Sequence, residues 1–328
     1  MKIGPIKFMK QDLMRRVIYA LLPIILASVY YFGWRVIPLI ISTSFFAVLA
    51  EWSFKRSTGK PVSEAVFVTS ILFVLTLPPK TPYWVAAVGI VFGIIFGKEV
   101  FGGFGRNVFN PALVGRAFVY VSFPKFLTIE WVAPIRDSVF GGFTRYIGPT
   151  IDAVSNATPL MTFRNTGEVM AYENMLFGNI SGSLGETSAL LIILAGCYLI
   201  YTKTAHKEST FGVLIGFVIT SLAFNFLNVK EVPNPVFGLL SGGILFSAVF
   251  MATDPISSPK TKEGRWIYGL MIGTLTVIIR GFALFSGGVM FAILISNSFG
   301  PLLDEMVKAL KAHKKNKQAS VKGGTANG

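Results

Sequence analysis

Long apolar segments spaced along the whole chain limit what this sequence can fold into more than any other feature. A helix that crosses a bilayer needs roughly 20 mostly apolar residues, and a soluble domain carries about 25% charged residues. The 328 residues are 52% hydrophobic and only 14% charged. We expect an all-α polytopic membrane protein of about ten transmembrane helices, at 17–34, 36–53, 65–79, 83–97, 109–124, 187–202, 211–228, 236–252, 266–280 and 284–300.

The basic residues predict how these helices are oriented. If the N-terminus is cytoplasmic and the loops alternate, the inner side collects 21 of the 30 Lys and Arg residues and the outer side eight. Such a bias sets topology. Segment 17–34 also resembles a signal peptide, but it is long for one and no small-residue cleavage site follows it, which predicts a retained helix. We expect a bacterial or archaeal inner-membrane protein with both termini in the cytoplasm.

The apolar segments fall into two groups of five around a polar interval at 125–186. Segments three and eight end at corresponding places, at Pro78-Pro79 and at Asp254-Pro255. Five helices per half would insert the second half upside down, as in inverted-repeat membrane proteins. The expected divisions are a first membrane half (1–124), an extracytoplasmic segment (125–186), a second membrane half (187–303) and a disordered basic tail (304–328).

The charge and the metal-binding residue types exclude several functions. The net charge of +14 fits basic cytoplasmic loops, and the run 308–317 lacks the aromatics that single-stranded nucleic acid would need. Cys197 is the single cysteine, so this chain alone cannot hold an ordinary iron–sulfur cluster, and we expect a small buried hydrophobic side chain there. His206 and His313 have no partner at ligand spacing, so no metal site is expected.

The interval 125–186 is too long for a simple connection in a compact protein. Its most distinctive stretch is Asp152-Ala-Val-Ser-Asn-Ala-Thr158. On the chemistry of the residues alone, Ser155 and Thr158 are equally well explained as helix-capping hydroxyls or as functional groups. Both interpretations remain open at this point.

Several ordered motifs resemble the family that contains the D subunit of the Rnf complex and the B subunit of the sodium-pumping NADH:quinone oxidoreductase. The resemblance covers nearly the whole chain. Beyond the stretch 152–158, it includes Ser63–Ser70, Gly97–Gly103, Arg106–Arg116, Gly182–Ser188 and Met251–Pro255.

The resemblance implies a covalent flavin. In that family a separate flavin transferase joins the phosphate of FMN, taken from FAD, to a threonine hydroxyl. Thr158 occupies that position, and Asp152, Ser155 and Ala157 match the motif around it. Ala153 and Asn156 stand where glycine is more usual in the family, although asparagine tolerates left-handed backbone geometry. On the predicted topology, Thr158 lies on the extracytoplasmic side.

Asn107 and Asn110 match family positions associated with a second, non-covalent flavin, riboflavin. A side-chain amide offers both a donor and an acceptor to the polar edge of an isoalloxazine. Asn110-Pro111 is equally a good helix start, an N-cap followed by proline. The glycines of Gly102–Gly105 lack the strand–turn–helix setting of a dinucleotide site, so we expect them to serve close packing.

A few acidic residues lie at the predicted membrane boundaries. Ionisable groups at that depth are costly and often mark an ion path, and Asp254, Glu99 and Glu186 are the candidates. Each also has a structural interpretation. Glu99 has Lys98 and Arg106 as possible partners, Glu186 suits a helix N-terminus, and Asp254 before proline suits a helix end.

The resemblance implies an electron-carrying subunit of a redox-driven Na⁺ or H⁺ pump that works only with other subunits in the lipid membrane. The absence of a longer N-terminal region and the form of Gly185–Ser188 favour the D subunit of the Rnf complex, which would couple ferredoxin to NAD⁺. Gly97–Gly103 and Asn107–Arg116 look closer to the B subunit of the quinone reductase. The alternatives of other classes are a urea- or ammonium-like channel and a structural subunit whose flavin site has decayed.

Overall fold

Helices make up nearly all the regular structure of the computed structural model, which describes residues 6–135, 139–146, 157–186, 188–283 and 287–324, with side chains to residue 316. The helices are α1 Asp12–Phe32, α2 Val36–Lys55, α3 Ala65–Leu75, α4 Tyr83–Ile94, α5 Pro111–Ser122, α6 Pro124–Thr128, α7 Pro159–Thr166, α8 Tyr172–Phe177, α9 Ala189–Tyr201, α10 Lys207–Phe226, α11 Pro235–Leu240, α12 Ile244–Phe250, α13 Lys262–Phe282 and α14 Val289–Gly324. A π-helical segment, Ile95–Glu99, continues α4.

Within the described residues, four helices are long and apolar enough to cross a membrane: α1, α2, α10 and the part of α14 up to Asn316. The apolar helices α3 and α9 are shorter. Each predicted segment contains a helix, but the eighth is divided into α11 and α12 at Ser241–Gly243, where Gly242 has a φ of +65° that favours glycine. The class of polytopic helical membrane protein is confirmed.

Three of the helices begin with the same local device, which the sequence shows directly. Asn110, Thr158 and Asn234 each precede a proline, and each side-chain oxygen accepts a hydrogen bond from a backbone N–H of the first helical turn. Proline suits the first helical position because its missing N–H would have had no partner there. These caps fix where α5, α7 and α11 start, and α5 and α7 carry the candidate site.

Helices α10 and α13 form the closest helix pair in the second half. Gly212 and Gly216 on α10 face Gly269 and Gly273 on α13, and a Cβ on Gly273 would lie 2.2 Å from the backbone oxygen of Val213. Small residues at four-residue spacing let two membrane helices approach at backbone distance. One continuous apolar core then joins residues of both halves.

A two-stranded parallel pairing is the exception to the all-α prediction. Strand β1 (Phe8–Met9) pairs with β2 (Val62–Ser63) beside the first turn of α1. Arg15 in that turn forms an ion pair of 2.5 Å with Glu64, and Gln11 accepts a hydrogen bond from the backbone N–H of Ala65. These contacts hold the start of α1 against the start of α3.

The described parts of the interval 125–186 pack on the opposite ends of α1 and α3. The Tyr31 hydroxyl donates to the Phe177 carbonyl at 2.6 Å, and the backbone N–H of Trp34 donates to the Arg145 carbonyl at 3.0 Å. The backbone N–H of Gly185 donates to the carbonyl of Leu75, the last residue of α3, at 2.7 Å. This segment is therefore part of the folded body.

Two expectations need correction. Helix α14 continues past residue 304, where we expected a disordered tail to begin. Asp304 accepts hydrogen bonds from the backbone N–H groups of Lys260 and Thr261, and Lys311 pairs with Glu263 at 2.8 Å, so this part of the helix is held against α13. Cys197 is exposed on α9, and we expected it to be buried.

Candidate functional site

Thr158 is the N-cap of α7, and its surroundings fix the position of its hydroxyl. The Oγ1 atom accepts a hydrogen bond from the backbone N–H of Met161 at 3.3 Å, and the residue is half-buried. Arg164, on the same short helix, donates to the carbonyl of Ala283 at 2.8 Å. Helix α7 is therefore tied to the end of α13. Ala157 is exposed, and Asp152 and Ser155 lie outside the described residues.

Thr158 lines a cavity of about 330 Å³, here called the Thr158 cavity. Its walls come from α5, α7, the stretch Ile180–Glu186 and the turn before α12. Arg116 on α5 forms an ion pair of 3.3 Å with Glu186 inside it. Two buried polar atoms of the lining, Arg116 Nε and Ser183 Oγ, have no hydrogen-bond partner among the described residues.

The lining of the Thr158 cavity suits an anionic ligand with a flat ring system. Its volume falls in the range of roughly 300–1,000 Å³ common for cofactor sites. Arg116 and Arg164 supply guanidinium groups, which bind phosphate through charge-assisted hydrogen bonds. Tyr120 and Trp131 add aromatic surface. A phosphate ester on Thr158 fits this donor set. A ligand would also give Arg116 Nε an acceptor and Ser183 Oγ a hydrogen-bond partner.

A second cavity lies at the other end of α5, here called the Asn110 cavity. Asn107, Asn110, Lys98 and Asp254 line it together with the first turn of α1. Its volume is about 60 Å³, enough for a few water molecules and too small for an isoalloxazine. Along α5, Asn110 in this cavity lies about 9 Å from Arg116 and about 15 Å from Tyr120, both of which line the Thr158 cavity.

The two asparagines are already engaged in local structure. Asn110 Oδ1 accepts from the backbone N–H of Ala112 at 3.0 Å, and its own N–H donates to Asn297 Oδ1 at 3.3 Å. Asn107 Nδ2 donates to the carbonyl of Phe109 at 3.1 Å. The capping interpretation therefore accounts for Asn110, and the cavity in this conformation does not fit riboflavin.

A buried ion pair next to the Asn110 cavity was missed by sequence reasoning. Lys98 Nζ lies 2.6 Å from Glu51 Oε2 and 2.6 Å from Ser63 Oγ, and the two charged side chains are 2% and 0% exposed. The sequence signal was Glu51, a lone acidic residue within the second apolar segment. An ionisable side chain inside a membrane span is usually paired or functional.

Glu99 has a partner other than those considered from the sequence. It pairs with Lys55 at 3.2 Å, and neither Lys98 nor Arg106 is its partner. The π-helical segment Ile95–Glu99 contains both Lys98 and Glu99. A π turn adds a residue to the helix and changes the directions of the side chains. Lys98 and Glu99 both reach α2, where their partners Glu51 and Lys55 lie one helical turn apart.

The three candidate ion-path carboxylates do not lie together. Glu186 is in the Thr158 cavity, and Asp254 lines the Asn110 cavity, where its Oδ1 accepts from the backbone N–H of Ile256 at 2.9 Å. Glu99 lines neither of these cavities. Any path through all three would have to connect both ends of the helix bundle.

These features define the class as a polytopic helical membrane protein with polar cavities at both ends of its bundle. The chain belongs to the NQR2, RnfD, RnfE family, whose model matches residues 7–312. The family expected from the motifs is therefore confirmed.

Curated relatives extend this comparison. The chain is 38% identical over 278 residues to the B subunit of the Na(+)-translocating NADH-quinone reductase of Pseudomonas aeruginosa (strain LESB58), covering 83% of this chain and 66% of the relative. It is 40% identical over 253 residues to the protein of the same name from Azotobacter vinelandii, covering 75% and 60%. The Klebsiella pneumoniae (strain 342) relative is 39% identical with the same coverage. The chain thus spans 60% to 66% of the length of these relatives.

Proposed function

We propose that this protein is the flavin-carrying membrane subunit of a redox-driven, Na⁺-translocating oxidoreductase. Membership of the NQR2, RnfD, RnfE family supports the class, and the names of the relatives support Na⁺ as the ion. One observation carries the flavin assignment. Thr158 lines a cavity of about 330 Å³ that Arg116 and Arg164 also line.

The Thr158 hydroxyl is the proposed attachment point for FMN. A separate flavin transferase would promote attack of Thr158 Oγ1 on the flavin-side phosphorus of FAD. The new P–O bond replaces the bond to AMP, which leaves, and the hydroxyl proton passes to the transferase. Only one hydrogen bond, from the backbone N–H of Met161, holds this oxygen among the described residues, so a lone pair remains for the reaction.

The chain's own residues would hold and shield the attached group. Arg116 and Arg164 neutralise the phosphodiester charge, and Tyr120 and Trp131 exclude water from the flat faces of the ring. The bound flavin supplies the capacity to accept and release electrons. The ion pair between Arg116 and Glu186 keeps the Arg116 guanidinium on the cavity wall.

We also propose that the Thr158 end of the bundle faces the outside of the cell and that the two halves are inverted. The two short helices support this arrangement. Ala65 at the start of α3 lines the Asn110 cavity, and Leu75 at its end contacts Gly185 near the Thr158 cavity. Helix α12 runs the other way, because Gly243 just before it lines the Thr158 cavity and Phe250 at its end lines the Asn110 cavity.

The second flavin and the ion path are further proposals. Riboflavin at Asn107 and Asn110 would need the Asn110 cavity to widen from its 60 Å³. Asp254, Glu99 and Glu186 remain candidates for Na⁺ or H⁺ transfer because each is an acidic group within or beside the helix bundle.

The names of the relatives favour a complex of the NADH–quinone reductase type. The form of Gly185–Ser188 favours an Rnf-type complex, which is the alternative. Purification of the intact complex from native membranes distinguishes the two. We expect NADH-dependent reduction of quinone that is stimulated by Na⁺. Reduction of NAD⁺ by ferredoxin, with no quinone activity, would assign the chain to the Rnf type.

The flavin assignment is tested by fluorescence of the denatured protein in a gel after co-expression with a flavin transferase. The wild type is expected to fluoresce and Thr158→Ala is expected to be dark. Thr162→Ala is the matched control, because Thr162 is on the same helix and does not line the cavity. A fluorescent Thr158→Ala would contradict the proposal, and a dark wild type would favour the channel or the decayed-site alternative.

A further inference from the structure

Arg280, in the last turn of α13, is a buried cation whose hydrogen-bonding capacity is largely unused. The residue is 8% exposed. Nη1 donates to the carbonyl of Gly238 at 2.8 Å, and the guanidinium carbon lies 5.5 Å from the centre of the Phe217 ring. Nε and Nη2 have no hydrogen-bond partner among the described residues. An unsatisfied buried charged group is costly, so these two nitrogens indicate a missing ligand.

No acidic side chain among the described residues fills this role. The described ion pairs contain no carboxylate within 4.0 Å of Arg280. Glu186 is committed to Arg116 at 3.3 Å. The missing partner is therefore expected to be an anion outside the described residues.

Arg280 lines a third cavity of about 270 Å³, here called the Arg280 cavity. Arg164 and Lys230 also line it, and Glu231 is the single acidic residue in its described lining. Three positive groups against one negative group give the cavity a net positive charge. Neither Thr158 nor Arg116 belongs to its lining, so this is a different site from the Thr158 cavity, although Leu160 and Arg164 border both.

The surface next to the Arg280 cavity is apolar and exposed. Phe282, two residues beyond Arg280, is 58% exposed, and Phe226 and Leu227, just before Lys230, are 88% and 68% exposed. Phe224 and Phe282 are in contact, with ring centres 5.4 Å apart, so the ends of α10 and α13 form one surface. Aromatic and basic residues together at the end of membrane helices are typical of the bilayer interface.

We propose that the Arg280 cavity binds the phosphate of an anionic phospholipid, of the phosphatidylglycerol class. The phosphate oxygens accept from Arg280 Nε and Nη2, and Lys230 adds a second positive charge at the mouth. The acyl chains lie on the exposed surface of Phe226, Leu227 and Phe282. A basic pocket between membrane helices is a recognised kind of lipid headgroup site. The bound lipid would stabilise the packing of α13 against α7. The hydrogen bond from Arg164 on α7 to the carbonyl of Ala283, at the end of α13, already joins these two helices.

Native mass spectrometry of the full-length chain in detergent tests this site. The protein is titrated with phosphatidylglycerol, with zwitterionic phosphatidylcholine or with inorganic phosphate. The variants are Lys230→Gln, Arg280→Gln and, as the matched control of the same charge change, Lys125→Gln, whose side chain is 73% exposed and outside this cavity. Lys230 is accessible to solvent, so its substitution tests the site without the risk of unfolding that the buried Arg280 carries.

We expect one phosphatidylglycerol per chain in the wild type and in Lys125→Gln, and weaker binding of phosphatidylcholine. Lys230→Gln should weaken phosphatidylglycerol binding about fivefold, and Arg280→Gln about tenfold or more, because a buried charged hydrogen bond is stronger than an exposed one. Equal retention in Lys230→Gln and the wild type would overturn the proposal. So would binding of inorganic phosphate with the same dependence on Lys230, which would make this a site for the free ion.

Discussion

The two cavities at the ends of α5 differ in how their polar groups are satisfied. The Asn110 cavity is small, about 60 Å³, and beside it Glu51, Lys98 and Ser63 bind one another. The Thr158 cavity is about 330 Å³ and leaves Arg116 Nε and Ser183 Oγ without partners among the described residues. Polar groups that satisfy each other stabilise the fold, whereas unpaired ones are available to a ligand. In this conformation the polar groups at the Asn110 end contribute stability, and those at the Thr158 end are available to a ligand.

The largest effect on stability is expected from Lys98→Met, at the Asn110 end. It would leave the Glu51 carboxylate, which is 0% exposed, without its counter-charge. Removing one partner of a buried ion pair costs about 3–5 kcal/mol, so the free energy of unfolding should fall by that amount. Thermal unfolding of the purified protein in detergent measures it.

The double variant Glu51→Gln with Lys98→Met is the control for this prediction. It removes both charges, so it should recover much of the lost stability. If Lys98→Met unfolds at the wild-type temperature, the ion pair does not stabilise the fold and the comparison between the two ends fails.

A smaller effect is expected from the cap of α5. Asn110→Ala removes the acceptor for the backbone N–H of Ala112 and should lower the free energy of unfolding by about 1 kcal/mol. Asn110→Asp keeps an acceptor there and should be closer to wild type, as thermal unfolding would show. If Asn110→Asp instead loses a bound riboflavin that wild type retains after purification, the amide has a ligand role and the Asn110 cavity opens.

The smallest effect, and the opposite sign, is expected at the Thr158 end. Ser183 Oγ is buried with no partner in the described part of the chain, so Ser183→Ala should leave the flavin-free protein as stable as wild type or up to about 1 kcal/mol more stable. Ser63→Ala is the matched comparison at the other end, and it should destabilise the protein because Ser63 Oγ bonds to both Glu51 and Lys98. Equal losses of stability in the two variants would remove the distinction.

Local sequence signals predicted the helices and their starts well. Apolar length located a helix in every predicted segment, and the Asn-Pro pair located the start of α5. Local signals could not predict long-range partners. The bond between Lys98 and Glu51 joins residues 47 apart in sequence, and the π-helical segment that carries Lys98 and Glu99 has no simple sequence pattern.

The candidate site was predicted in part. The motif around Thr158 came from family resemblance, and the structure adds the cavity that it faces. Arg280 was missed because the sequence does not show which carboxylates lie near it. Its lack of an ion-pair partner among the described residues depends on the tertiary fold. The end of α14 was missed because a lysine-rich sequence looks disordered until Asp304 and Lys311 are seen to bind α13.

The central claim is that the Thr158 oxygen holds a flavin phosphate. Peptide mass spectrometry of the protein from cells that make the flavin transferase measures this directly. We predict that the peptide containing Thr158 is heavier by one FMN less one water, with fragments that place the addition on Thr158. An unmodified Thr158 peptide from such cells, or an FMN addition at another residue, would contradict the account.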